Sequence, residues 1–123
     1  MGGMRVLLVD DEPELVTTMA ERLELRGFEV DAVTSGAEAM ERARERAYDI
    51  AVVDVKMPGM GGEEVMAHLR QNDPRMPVIL LTGHAATEEA QDVLEAEACA
   101  YLYKPIDIEE LIRTMKRCMP VDD

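Results

Sequence analysis

Apolar residues along this chain gather in five short runs, each broken by polar residues and followed by a stretch in which they recur every three or four positions. Met4 to Val9 is the first run, and it stops abruptly at Asp10-Asp11-Glu12-Pro13. Leu15, Val16, Met19, Ala20 and Leu23 then repeat at helical spacing until Arg26-Gly27, with Pro13 suited to the first helical turn because its missing N–H has no partner there anyway. Phe28 to Val33 alternates as a strand, and Ser35 with Glu38 three residues later is a capping-box pattern for a second helix running to about Arg46, alanine-rich, charged and solvent-facing. Tyr48 to Gly59 organises the rest: Ile50, Val52 and Val53 make a strand buried on both faces, and Pro58-Gly59 turns it. Val65, Met66 and Leu69 mark a third helix, which Asn72-Asp73-Pro74 ends. Pro77 to Leu81 is a fourth strand finishing at Thr82-Gly83-His84. Thr87 then caps a fourth helix whose thin apolar stripe, Ala90, Val93 and Leu94, should hold it weakly. Ala100 to Tyr103 is the fifth strand, ended by Lys104-Pro105, and Asp107 with Glu110 caps a last helix burying Ile108, Leu111, Ile112 and Met115.

Five strand–helix alternations predict an α/β fold, a doubly wound five-stranded parallel sheet between two layers of helix, joined by right-handed crossovers. With 123 residues there is room for one domain, residues 1–123 with a core over 4–119. The content of 47% hydrophobic but 3% aromatic residues describes an aliphatic core without the ring platforms that stack bases or sugars. A net charge of −13 argues against nucleic acid as a direct ligand and favours a cationic partner. The ten methionines read as core fillers and loop residues. Cys99 and Cys118 show no paired spacing with His or with each other, so reduced, packed thiols are expected, with neither a zinc site nor a disulfide. The first residues lack the basic and apolar regions of a signal peptide, and no apolar run approaches membrane-spanning length, so a cytoplasmic protein without a membrane role is expected.

In open parallel sheets, ligands bind outside the carboxyl ends of the strands, near the point where strand order reverses. Those ends carry Asp10 and Asp11, Asp54, Thr82, and Lys104. Each alone has a bland reading: a solvated Asp-Asp turn, an aspartate cap, a Thr-Gly turn, a Lys-Pro strand exit. Together they make chemical sense around a divalent cation and a phosphoryl group. Clustered carboxylates raise one another's pKa unless a cation compensates, and Mg²⁺ suits two carboxylates and a backbone carbonyl, with Asp11 and Asp54 as direct ligands and Asp10 acting through water. Mn²⁺ can substitute. Asp54, at the centre, is the natural nucleophile for an acyl phosphate, while Lys104 and Thr82 meet the oxygens of the transferring group. His84 reads as a surface turn residue and His68 as a bystander on the third helix. Tyr103 reads as a partly buried strand residue.

With these residues in view, the sequence resembles the receiver domain of two-component response regulators from Arg5 to about Met119. The matching motifs are Val9-Asp10-Asp11-Glu12, Asp54-Val55-Lys56-Met57-Pro58-Gly59, Thr82-Gly83-His84 and Tyr101-Leu102-Tyr103-Lys104-Pro105. The resemblance implies a flavodoxin-like sheet of order 2-1-3-4-5 and transfer of a phosphoryl group to Asp54 from a phosphohistidine of a sensor histidine kinase or phosphotransfer domain. It implies Mg²⁺ held by Asp11, Asp54 and the backbone carbonyl of Lys56, and a cis Lys104-Pro105 bond. Thr82 and Tyr101 become the switch residues, and the surface of the fourth helix, fifth strand and last helix becomes the remodelled output face, through which a homodimer is compatible. Lys56 and His84 flank the site and control water access, so slow self-dephosphorylation is expected. The protein is then no enzyme toward free metabolites, and its output partner stays open. Two departures stand out: Glu97 where the family usually has Gly, and Gly61-Gly62 where Asp-Gly is commoner, which should loosen that turn. The rival readings are a flavodoxin-type cofactor protein, disfavoured because Asp10-Asp11-Glu12 would repel phosphate without metal, and an aspartyl phosphohydrolase, which needs a second Asp where Lys56 stands.

Overall fold

The computed structural model describes residues 3–83 and 97–119. Its five strands are β1 (Arg5–Val9), β2 (Glu29–Val33), β3 (Ile50–Asp54), β4 (Val78–Thr82) and β5 (Ala100–Tyr103). The helices among the described residues are α1 (Pro13–Leu25), α2 (Gly36–Glu45), α3 (Gly62–Asn72) and α4 (Ile108–Cys118). All strand pairs are parallel and the order is β2-β1-β3-β4-β5, as the resemblance implied. The helix expected from Thr87 onward, with His84 before it, lies outside the described residues.

Strand alternation sorts the apolar residues into two cores. Val6 and Leu8, Ile50 and Val52, Ile79 and Leu81, and Leu102 face α1 and α4, packing on Val16, Met19, Leu23, Leu111 and Met115. Leu7 and Val9, Ala51 and Val53, and Val78 and Leu80 face α2 and α3, packing on Ala39, Val65, Met66 and Leu69. β3 and β4 are buried at every position because helices cover both faces. The helix ends follow the expected local chemistry. Pro13 occupies the start of α1, and Gly27, at φ +93°, turns the chain after it. The Ser35 hydroxyl accepts the Glu38 N–H at 3.2 Å, and the Asp107 carboxylate accepts the Glu109 N–H at 2.9 Å. The Glu38 carboxylate reaches back to the N–H and hydroxyl of Thr34. Arg26, just beyond α1, pairs with Glu109 at the start of α4.

Two expectations are corrected. Cys99 and Cys118 are not reduced thiols: they form a disulfide, with Cα atoms 6.0 Å apart. Their sequence separation of 19 hid this, yet the fold explains it. Strand β5 spans about 13 Å and α4 about 16 Å, so a strand–helix hairpin returns the end of the helix to the start of the strand. Tyr103 is 48% exposed at the end of β5, an edge strand, while Tyr101 on the same face is half-buried against the α2–α3 core. At Glu97, where the family usually has Gly, the backbone carbonyl accepts from the Arg70 guanidinium at 2.7 Å.

Candidate functional site

The crevice between the carboxyl ends of β1 and β3 lies where strand order reverses, and the expected residues converge there. Asp10 follows β1 and is fully buried; Asp54 ends β3 at 4% exposure; Thr82 ends β4 at 6%. Lys104 follows β5, its amide donating to the Thr82 carbonyl at 2.8 Å, and its peptide bond to Pro105 is cis as the resemblance implied. The strands place these groups because each keeps an apolar run up to its carboxyl end, where the sequence turns polar.

The lysine ammonium is the hub. Its Nζ lies 2.9 Å from Asp10 Oδ2, 3.0 Å from Glu12 Oε1 and 3.5 Å from Asp54 Oδ2. Glu12 was not among the expected site residues; as the exposed third acid of Asp10-Asp11-Glu12 it reads as solvated, although its place at the start of α1 turns it over the pocket. Asp10 is fixed through Oδ1, which accepts the Glu12 N–H at 3.0 Å. Asp10 Oδ2 faces the ammonium as an ion pair without hydrogen-bond geometry and has no hydrogen-bond partner among the described residues.

Four carboxyl groups around one ammonium leave an excess of negative charge, and the titration of Asp54 reflects it. Its pKa is raised from 3.8 to about 6, first by desolvation, then by the charge of Asp10; Lys104 opposes this, and Asp11 adds charge and a hydrogen bond that raise it further. Burial alone would lower the Lys104 pKa, but the close contacts with Asp10 and Glu12 and the charge of Asp54 hold it well above the ordinary lysine range. The ammonium is therefore permanently charged.

These features fit a hard divalent cation. Ligand oxygens of Asp10, Asp11 and Glu12 fall within 4.8 Å of one another, and buried Asp10 Oδ2, held only by its ion pair with Lys104 among the described residues, keeps lone pairs for a further donor or ion. Lys56 stands two residues beyond Asp54, exposed in the loop to α3. His68 is exposed on α3, lining a groove with Met40, Arg44 and Met60. A second residue missed in the sequence is Gly62. The Gly62 N–H donates to the Val55 carbonyl at 2.9 Å, and a Cβ at this position would sit 2.3 Å from the Asp54 carbonyl oxygen. The Gly61-Gly62 turn, expected to be loose, is instead pressed against the backbone that presents Asp54.

The family model described as the response regulator receiver domain matches residues 6–116. The transcriptional regulatory protein TcrA of Mycobacterium tuberculosis is 36% identical over 124 residues, 98% of this chain and 49% of that protein. TctD of Salmonella typhimurium is 40% identical over 108 residues, 88% of this chain and 48% of that protein. The chain thus spans about half the length of the curated relatives it matches. Among solved structures, the chemotaxis protein CheY4 of Vibrio cholerae superposes with a TM-score of 0.87 at 29% identity, covering 96% of this chain and all of that one. The response regulator TrrA of Thermotoga maritima, in complex with Mg²⁺ and BeF, gives 0.82 at 32% identity over 94% of this chain and 99% of that one.

Proposed function

Because the chain belongs to the response regulator receiver domain family, we propose that Asp54 is its phosphoacceptor, taking a phosphoryl group from the phosphohistidine of a sensor histidine kinase or phosphotransfer domain. The observation that carries this reading is the reach of Lys104 Nζ to both Asp10 and Asp54 at the carboxyl ends of three different strands. An Asp54 oxygen attacks phosphorus in line with the leaving imidazole nitrogen; the P–N bond breaks as the O–P bond forms, and the histidine leaves as neutral imidazole after gaining a proton. Lys104 exchanges part of its contact with Asp10 and Glu12 for a phosphoryl oxygen, and Thr82, buried at the end of β4, donates its hydroxyl to another. Asp11, Asp54 and the Lys56 carbonyl would hold Mg²⁺ or Mn²⁺, with Asp10 behind a coordinated water. Bound there, the ion offsets the excess negative charge and polarises the phosphoryl oxygens. The Thermotoga relative, whose structure is a complex with Mg²⁺ and BeF, supports the same ion here.

The chemistry is confined to the protein's own side chain. Thr82 and Tyr101 transmit the change to the edge of the sheet formed by β5 and α4, which acts on an output partner in the cytoplasm. Lys56 and His84 limit water access, so the acyl phosphate hydrolyses slowly. Incubation with Mg²⁺ and acetyl phosphate tests the reading: the intact mass should gain one phosphoryl group, Asp54→Ala should gain none, and beryllofluoride should shift amide signals near Thr82 and Tyr101. A wild-type mass that stays unchanged while beryllofluoride leaves the spectrum unaltered would sink it.

A further inference from the structure

The Cys99–Cys118 disulfide plays no part in the chemistry above, and its setting differs from that of a structural disulfide sealed in a core. Cys99 is exposed, in the turn before β5, while Cys118 is half-buried at the end of α4 against the apolar cluster that holds Met115 and Met119. The bond joins the start of the edge strand to the end of the helix that packs on it. Strand β5 is an edge strand with one neighbour, β4, and its amino end is tied to that neighbour by the Cys99 N–H donating to the Val78 carbonyl at 2.8 Å. Helix α4 ends at Cys118 itself.

We infer that Cys99 and Cys118 form a reversible thiol–disulfide modification site that responds to small-molecule disulfides and fastens α4 to the amino end of β5 when oxidised. In the reduced protein the Cys99 thiolate attacks one sulfur of a low-molecular-weight disulfide such as glutathione disulfide, forming a mixed disulfide and releasing one thiolate. The Cys118 thiolate then attacks the Cys99 sulfur, forming the internal bond and releasing the second. Two protein thiols are oxidised, one disulfide is reduced to two thiols, and the two thiol protons leave on the released molecules. The order follows from access, since an incoming disulfide reaches exposed Cys99 before half-buried Cys118. The reverse sequence, begun by a small thiol at the exposed sulfur, reopens the bond without unfolding the chain.

Oxidation changes mobility rather than the phosphoryl site directly. The cross-link closes a loop with a sequence separation of 19, so reduction should lower Tm by roughly 10 °C and speed amide exchange in α4. The experiment uses the whole chain in its native state. Protein purified without reductant should take up no maleimide, take up two after dithiothreitol without denaturant, and lose that reactivity again in glutathione disulfide. Under the last condition Cys118→Ser should trap a glutathione adduct at Cys99, while Cys99→Ser should form its adduct many-fold more slowly; circular dichroism checks that both variants fold. Free thiols in the unreduced protein, no internal bond after glutathione disulfide, or a bond that dithiothreitol opens only in denaturant would each overturn the inference. None of these readouts depends on phosphorylation.

Discussion

A carboxylate at 4% exposure beside another that is fully buried is an energetic liability, and Asp54 and Asp10 persist together because Lys104 sits between them. The liability is incompletely offset, since the Asp54 pKa is raised from 3.8 to about 6. The folded chain therefore binds this proton more tightly than the unfolded chain does. In metal-free protein the contribution of Asp54 to stability is most favourable below about pH 4, falls as pH rises toward 6, and is fully lost above that; a two-unit shift corresponds to about 3 kcal/mol. Asp54→Asn removes the titration while leaving Lys104 paired with Asp10 and Glu12. It should be more stable than wild type by about 1–3 kcal/mol at about pH 7.5, with the gap closing near pH 4, as read by denaturant unfolding in chelator. An Asn variant less stable than wild type at both pH values would show that burial of Asp54 carries no such cost. At this scale Asp10, Asp11, Asp54, Thr82 and Lys104 were legible in the sequence, each standing where an apolar run gives way to polar residues. Glu12 was not, because nothing in an exposed acid at a helix start reveals that a lysine 92 residues away will reach it.

Between residue and fold, the turn from β3 to α3 sets where Asp54 points. Gly62 lies so close that a methyl group would meet the Asp54 carbonyl oxygen at 2.3 Å and the Val55 Cα at 2.8 Å, both backbone atoms that cannot swing aside. Gly62→Ala should cost about 1–3 kcal/mol and slow acetyl-phosphate labelling more than it weakens the fold, because the strain falls on the peptide that carries the nucleophile. Gly61→Ala is the control, since its Cβ would have a single ordinary contact, at 3.4 Å from the Val55 carbonyl. Equal behaviour of the two variants would contradict a positioning role for Gly62. Elements with a strong period were legible to within a residue or two: β5 matches at both ends, β1 and β2 lose one residue at the start, and α3 ends where Pro74 requires. The Cys99–Cys118 bond was not legible, because pairing depends on β5 and α4 having similar lengths and no local spacing encodes that.

At the scale of the molecule, a parallel sheet with two apolar faces gathers polar residues from four strand ends at one rim. The fold class was readable from alternation alone because each strand is short, each helix is bounded by its own start and stop residues, and the topology rules leave few arrangements. Strand order came through the family resemblance. What the rim does depends on which carboxylate becomes modified. The most direct measurement is to label the whole chain with acetyl phosphate and Mg²⁺, reduce the acyl phosphate with borohydride, and locate the altered residue by peptide mass spectrometry. The expected result is homoserine at position 54 alone, lost when Mg²⁺ is chelated before labelling. Modification at Asp10, Asp11 or Glu12, or labelling of Asp54 that persists in chelator, would contradict the assignment of Asp54 as a metal-dependent phosphoacceptor.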